Sequence, residues 1–179
     1  SRGKLAAQEG RLLCELPAYP YPPWAKNSVH LPRAVVVEDF RLAVPEALVG
    51  LTLVHANVIG VIENQAPTRH LHLPVSVQQG EIHADQEKDI AKIALVERHT
   101  ASGRVQVGLV QGFGFNQNCA IASTVAHDSH HMLVVGTNDY DMALAANTLA
   151  QTGGGQTVVL EGKVIGLVEL PIAGLMSND

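Results

Sequence analysis

Three of the nine histidines in the chain crowd into one short segment, His127-Asp128-Ser129-His130-His131. This segment joins residues 121–126 to Met132–Gly136, two apolar stretches whose composition predicts buried strands. A polar insert between buried strands surfaces at a strand end, where binding and catalytic residues are commonly placed. Imidazole and carboxylate groups together could bind a metal ion, or act as a base with an orienting carboxylate. A tight turn whose Asp128 and Ser129 bond local amides is the alternative, and the sequence leaves these interpretations open.

Two further segments carry residue types that suit ligand binding. His70-Leu71-His72 would place both imidazoles on one face of a strand, which invites a metal-binding interpretation. No further metal ligands follow, however, and Pro74 predicts the end of that strand. We therefore expect solvent-facing histidines on an edge strand. Gly112-Phe113-Gly114-Phe115-Asn116 follows a strand, and its glycines permit a ligand to approach the backbone. It is not a dinucleotide-binding fingerprint, because the third glycine and the following helix are missing.

Complete catalytic signatures are missing from the sequence. The H-x-E and P-C-x-x-C pattern of zinc-dependent cytidine deaminases is absent. The G-x-S-x-G motif of hydrolases that use a serine nucleophile is absent too. The residues alone therefore favour a partner domain or a fragment of a larger protein.

The elements that must position these residues are mostly strands. The one convincing helix is Asp139–Thr152, with Thr137 or Asn138 as its cap and Gly153-Gly154-Gly155 at its end. One face of that helix carries the apolar residues Met142, Ala145, Ala146 and Leu149. Strands are predicted within residues 49–62 and at 70–78, 82–84, 92–98, 104–110, 121–126, 132–135, 157–160 and 164–170. The expected fold class is α/β (α+β-like), a strand-rich mixed or antiparallel sheet with one main helix.

The N-terminal part differs from the rest of the chain. Residues 1–16 predict a β-hairpin around the turn Glu9-Gly10. Residues 17–39 predict a stiff proline-rich connector, and a proline-rich recognition motif is the alternative. The compact domain is expected over residues 40–179. Because hairpin and connector have few partners of their own, residues 1–33 are expected to pack loosely or against another chain.

Composition limits the classes of partner. Charged residues make up 16% of the chain, the net charge is −5, and no run of Lys or Arg exists, so we expect neither a nucleic acid nor an anionic membrane as partner. No apolar stretch approaches the roughly 20 residues that span a bilayer. The two cysteines, Cys14 and Cys119, lie far apart. A reduced, cytoplasmic protein is the expectation from this usage.

Several long motifs of the chain, taken in order, resemble one family. The upstream motifs are Tyr19-Pro20-Tyr21-Pro22, His30-Leu31-Pro32-Arg33, Ile62-Glu63-Asn64-Gln65 and Val96-Glu97-Arg98-His99. The downstream motifs are the run from Cys119 through His131 to Asp139, then Met142-Ala143-Leu144-Ala145, Gly153-Gly154-Gly155 and Leu170-Pro171-Ile172-Ala173-Gly174-Leu175-Met176-Ser177. Together they resemble the C-terminal region of bacterial adenine deaminases, which belong to the amidohydrolase superfamily.

The resemblance implies hydrolysis of adenine to hypoxanthine and ammonia by a metal-activated hydroxide in a (β/α)₈ barrel with two divalent ions, Mn or Fe. Such a barrel needs about 250 residues. The chain is therefore expected to be a C-terminal fragment without the barrel, without metal ligands of its own and inactive alone. Residues 1–16 would be strands of the β-sandwich that flanks such barrels, and residues 40–179 the C-terminal domain. The implied partners are adenine, the missing barrel domain and further copies of the chain in a homo-oligomer.

Within this resemblance the site predictions are specific. His127, Asp128 and His130 are predicted auxiliary catalytic residues. The predicted substrate-binding residues are Ser129, Phe113 and Asn116. The alternative is a non-catalytic structural or oligomerisation domain in which the histidine-rich turn is only well hydrogen-bonded.

Overall fold

A nine-stranded sheet dominates the molecule, which a computed structural model describes over residues 3–15 and 20–178. The strands are β1 (Ala7–Gln8), β2 (Arg11–Leu12), β3 (Leu53–Gly60), β4 (Arg69–Gln78), β5 (Glu81–Ile82), β6 (Ile90–Val96), β7 (Val105–Gln111), β8 (Cys119–Ser123), β9 (Met132–Gly136), β10 (Gly155–Leu160) and β11 (Lys163–Glu169), and the helix is α1 (Asp139–Thr152). Short 3₁₀ helices lie at Pro23–Lys26, Val37–Phe40, Glu46–Leu48 and Gln86–Lys88. The sheet order is β11-β10-β8-β9-β6-β7-β3-β4-β5. All neighbours in it are antiparallel except β3 and β7, which are parallel. The predicted strand-rich mixed sheet with one main helix is confirmed, and the described residues contain no (β/α)₈ barrel.

Helix α1 forms where the sequence predicts it. Asn138 caps it, because its Oδ1 accepts a hydrogen bond from the Asp141 backbone N–H at 2.8 Å, and Gly153 ends it at φ +78°. The predicted apolar face is buried against β6, β8, β9 and β10, and its residues are Met142, Ala145, Ala146 and Leu149. The side chain of Lys92 in β6 ties the helix start to the sheet by donating to Asp139 at 2.7 Å and to the Phe40 carbonyl at 3.0 Å.

A second apolar cluster lies against the other half of the sheet, with members from β3, β4, β5, β6 and β7. Its buried members are Val44, Val54, Val58, Val75, Val77, Ile82, Ile90 and Leu109. Strand β4 runs through Pro74 to Gln78, so the strand predicted at 70–78 is confirmed and the strand end predicted at Pro74 is wrong. Proline is tolerated there because β4 pairs with β5 only at Val77 and Gln78, so the outer side of Pro74 has no ladder hydrogen bond to lose.

The N-terminal hairpin forms as predicted, with Ala7 paired to Leu12 and Gln8 to Arg11. The expectation that residues 1–33 pack loosely is wrong for residues 25–33. The Ala25 carbonyl accepts from the Ala173 backbone N–H at 2.7 Å, and the His30 backbone N–H donates to the Arg98 carbonyl at 2.8 Å. This segment has backbone partners on the domain that periodicity does not reveal. Residues 1–2 and 16 of the predicted hairpin and residues 17–19 of the predicted connector lie outside the described residues.

No helix in the described part of the chain has the length and apolar character needed to cross a membrane.

Candidate functional site

The histidine-rich turn lies between β8 and β9. Strand β8 ends at Ser123, three residues before the end predicted at residue 126. The next residue, Thr124, leaves the strand, and its Oγ1 donates a hydrogen bond to the Gly174 carbonyl at 2.6 Å. The turn itself is closed by the His130 backbone N–H, which donates to the Ala126 carbonyl at 2.6 Å. His130 has φ +51°, in the left-handed region that few residues other than glycine and asparagine adopt readily. The chain therefore presents its polar residues on a tight, closed loop.

Four imidazoles gather at this turn. The rings of His127 and His130 lie 4.7 Å apart between centroids, and those of His99 and His131 lie 4.8 Å apart. His99 also bonds the Ser129 carbonyl through Nε2 at 3.1 Å. The Nδ1 atoms of His130 and His131 are buried, and within the described part of the chain they have no hydrogen-bond partner. A buried ring nitrogen without a hydrogen-bond partner is uncommon in folded proteins.

The predicted catalytic residues differ in exposure. His127, Asp128 and Ser129 are exposed, whereas His130 is half-buried. The Ser129 Oγ accepts a long hydrogen bond from the His131 backbone N–H at 3.4 Å, as the turn interpretation expects. The Asp128 carboxylate, by contrast, makes no hydrogen bond or ion pair to any residue in 3–15 or 20–178. Holding the turn together therefore does not account for Asp128.

The buried side chain of Arg98 holds the histidine-rich turn in place through hydrogen bonds. Its side chain is 1% exposed, and Nε donates to the His130 carbonyl at 2.6 Å. Nη1 donates to the Ser28 carbonyl at 2.7 Å and to the Ser28 Oγ at 3.1 Å, and Nη2 donates to the Ala173 carbonyl at 3.1 Å. Gly174 packs on the guanidinium so closely that a Cβ there would lie 3.0 Å from Nη1. The fork of Arg98 thus joins three segments that are remote in the sequence, and burial lowers its pKa.

Glu97 shapes the neighbouring loop, which positions His99. Its carboxylate accepts hydrogen bonds from the backbone N–H and hydroxyl groups of Thr100 and Ser102, at 2.8 to 3.1 Å. Partial burial of the carboxyl raises its pKa, but the hydrogen bonds from Ser102 and Thr100 outweigh this, and the net pKa lies well below the usual range. The loop is therefore held by an ionised carboxylate.

Metal binding fits this turn poorly. Among residues 3–15 and 20–178, no group of three or more His, Cys, Asp or Glu side chains is arranged to hold a metal ion. What the turn offers is the hydrogen-bond donors and acceptors of its imidazole rings, its carboxylate and its hydroxyl group.

The structure does not bring Phe113 and Asn116 to the turn. Both lie in the loop before β8, whereas the turn follows β8, so the length of that strand separates them, about 17 Å for five residues. Phe113 packs against Phe115, with ring centroids 5.4 Å apart. It also lines an apolar groove of about 410 Å³ beside Ile121. Asn116 is exposed. Of the predicted substrate-binding residues, only Ser129 lies with the catalytic candidates.

Sequence reasoning missed Arg98 and His99 as parts of this site. Both belong to a motif that carried the family resemblance, but the motif was given no chemical role. The available signal was an arginine two residues after the apolar strand β6, because a buried cation there needs acceptors from elsewhere in the fold.

The family model described as adenine deaminase C-terminal domain matches residues 65–179. The chain belongs to the adenine deaminase C-terminal domain family. A similar protein is adenine deaminase 3 of Rhizobium meliloti (strain 1021), 50% identical over 178 residues, which cover 99% of this chain and 29% of that protein. The adenine deaminase of Ruegeria pomeroyi is 50% identical over 180 residues, covering 100% of this chain and 29% of the relative. That of Moorella thermoacetica is 49% identical over 176 residues, covering 98% and 29%.

The chain spans 29% of the length of these relatives, so most of each relative has no counterpart in it. The matched region includes the turn, Arg98 and the segment that carries Ala173 and Gly174.

Proposed function

We propose that this domain serves an adenine deaminase, which hydrolyses adenine to hypoxanthine and ammonia. The observation that carries the proposal is the identity of about 50% over the whole chain to proteins named adenine deaminase. The enzyme works, in this proposal, in the cytoplasm, which agrees with two free cysteines, one exposed and one buried.

The metal chemistry belongs, in this proposal, to a barrel domain outside the chain. Two divalent ions, Mn or Fe, would there supply an activated hydroxide. The absence of a ligand cluster among the described residues supports placing those ions elsewhere. It follows that the 179-residue chain alone does not deaminate adenine. Everything proposed for this chain concerns its own side chains.

The proposed role of the turn is auxiliary. His127, Asp128 and Ser129 are exposed at a strand end, so they can face the mouth of a neighbouring catalytic domain. Asp128, which has no partner in the described residues, can accept a hydrogen bond from a ring N–H of the purine. The ring of His130 is half-buried, and its exposed part can bond a purine nitrogen or pass a proton to the departing ammonia.

The test is kinetic and uses a full-length adenine deaminase that carries this domain. Asp128→Asn removes the charge and keeps the shape. His130→Asn is preferable to His130→Ala, because asparagine tolerates the positive φ of this residue and the turn is preserved. We expect kcat/KM for adenine to fall by about 10²-fold in each variant, the lower end of what general acid–base groups supply. Metal content and melting temperature should stay unchanged.

His72→Asn is the matched control, since His72 is an exposed histidine of β4, away from the turn. It should leave the kinetics unchanged. Near-normal kcat/KM in both Asp128→Asn and His130→Asn would refute the auxiliary role and leave the domain as a structural or oligomerisation unit. A lower melting temperature with normal activity would assign the turn to stability alone.

A further inference from the structure

His130 holds a backbone conformation that its residue type does not favour. Its φ is +51°, and a residue with a Cβ is disfavoured in this left-handed region by about 5- to 30-fold relative to the right-handed one. Such a conformation persists only where the surrounding structure imposes it, and residues of this kind cluster at active sites and ligand clamps. The groups that impose it at His130 therefore also set the direction of its imidazole ring.

Three hydrogen bonds hold the backbone on both sides of His130. Its N–H donates to the Ala126 carbonyl, and its carbonyl accepts from Arg98 Nε, both at 2.6 Å. The Ser129 carbonyl, which precedes it, bonds the Nε2 of His99 at 3.1 Å. The bonds to Ala126 and His99 fix the peptide plane before the Cα of His130, and the bond from Arg98 fixes the plane after it. Both φ and ψ of His130 are thereby determined.

The tautomer of His99 follows from its bond to the turn. A carbonyl oxygen only accepts, so Nε2 carries a proton and donates. The backbone of His99 is itself held on both sides, because its N–H donates to the Glu97 carboxylate and its carbonyl accepts from the Nδ1 of His30 at 3.1 Å. The ring also contacts that of His131, with centroids 4.8 Å apart. The imidazole of His99 is thus a fixed donor, although it lies at the surface.

The position of the candidate catalytic rings depends on this donor. The ring of His130 lies 4.7 Å from that of His127, edge to face at 74°, and a return of His130 to the right-handed region would redirect its Cβ and break this contact. We propose that His99 is a positioning residue, which holds the Ser129 carbonyl through Nε2 and so keeps the imidazole of His130 beside His127. This inference rests on the proposed function, because the direction of that imidazole affects the reaction only if the turn takes part in it.

Hydrogen exchange of the 179-residue chain tests the contact without any measurement of activity. His99→Leu removes the donor. His99→Gln keeps one, since its amide nitrogen lies the same number of bonds from Cα as Nε2. Loss of one hydrogen bond should raise the exchange rate of the His130 N–H by about fivefold in His99→Leu, and His99→Gln should restore most of the protection.

A matched control and a spectroscopic signature complete this test. His83→Leu removes an exposed histidine whose ring makes no hydrogen bond in the part of the chain that the structure describes, and it should leave the exchange rate unchanged. In the neutral ring of His99, ¹⁵N chemical shifts should show the proton on Nε2. An unchanged exchange rate in His99→Leu, or a neutral ring with its proton on Nδ1, would overturn the proposal.

Kinetics of a full-length adenine deaminase that carries this domain test the positioning role. A displacement of about 1 Å in a reacting group can cost about 10²-fold in rate. We expect kcat to fall by about tenfold in His99→Leu with KM little changed, because the contacts of His130 with the transition state are weakened. His99→Gln should recover most of that loss, and His83→Leu should leave both constants unchanged.

The proposed function and this inference fail through different results. If Asp128→Asn and His130→Asn lower kcat/KM but His99→Leu does not, the turn takes part in the reaction and only the role of His99 is refuted. Equal losses of kcat in His99→Leu and His99→Gln would also refute that role, since the hydrogen bond would then not be the cause. If Asp128→Asn and His130→Asn keep normal kinetics, the proposed function fails instead, and the exchange rates still decide whether His99 holds the turn.

Discussion

Arg98→Lys should destabilise the domain by an amount that the structure allows us to estimate. The guanidinium makes four hydrogen bonds, through three different nitrogens, to His130, Ser28 and Ala173. A lysine keeps the charge buried, but its single nitrogen cannot reach acceptors placed around a planar fork. If two of the four bonds are lost, at about 1.5 kcal/mol for each bond to a charged group, the free energy of unfolding falls by about 3 kcal/mol.

Thermal unfolding, followed by circular dichroism, measures this change. For a chain of this size, about 3 kcal/mol corresponds to a fall in Tm of about 6–12 °C. Hydrogen exchange should show the cause, because the His30 backbone N–H, which bonds the Arg98 carbonyl, should lose protection along with the turn. Arg104→Lys is the matched control, since Arg104 is exposed and its side chain makes no hydrogen bond in the described structure. If Arg98→Lys melted with Arg104→Lys at the temperature of the unaltered chain, the carbonyls would have other partners and the reasoning would be refuted.

Two further predictions concern titration and thiol chemistry. The pKa of Glu97 is depressed in the folded chain, so its contribution to stability is present above the pKa of the unfolded state and is lost as the pH falls towards the folded value. In Glu97→Gln, the free energy of unfolding measured in urea should therefore fall less between about pH 5 and pH 3 than in the unaltered chain. An unchanged slope of this free energy against pH would contradict the prediction. Burial, and secondarily the nearby Asp141 charge, raise the pKa of Cys119, whereas Cys14 is exposed. A thiol reagent at about pH 8 should thus modify Cys14 rapidly in the native chain and Cys119 only after denaturation, and rapid labelling of both would show that the core around Cys119 opens.

The sequence predicts local elements well because their signals are local. The cap, the apolar face and the terminal glycine of helix α1 all lie within residues 138–153, and the structure places all three as expected. The hairpin at Glu9-Gly10 and the two strands around the turn are likewise set by short-range patterns. In each case the decisive residues are neighbours in the chain.

What the sequence does not reveal depends on contacts between remote segments. The bonds of Arg98 join it to residues 70, 32 and 75 positions away, and no periodicity encodes such distances. The early end of β8 has the same origin, since Thr124 leaves the strand to bond Gly174, 50 positions further on. The gathering of His99 with the turn follows from the pairing of β6 with β9, which a list of strands does not specify. The sequence thus predicted the turn between two strands, and it missed Arg98 and His99, which support that turn.

The arrangement around Arg98 also sets an order of assembly during synthesis. Ser28 leaves the ribosome 70 residues before Arg98, and Ala173 follows 75 residues after it. Until Ala173 is available, water solvates the guanidinium better than an incomplete set of carbonyls, because burying a charge without its partners costs several kcal/mol. Strands that are already synthesised can pair with each other before Ala173 is available. The His130 carbonyl therefore accepts its hydrogen bond from the buried Arg98 side chain only after the segment with Ala173 has packed. The imidazole cluster is completed late, after the chain has been translated past residue 173.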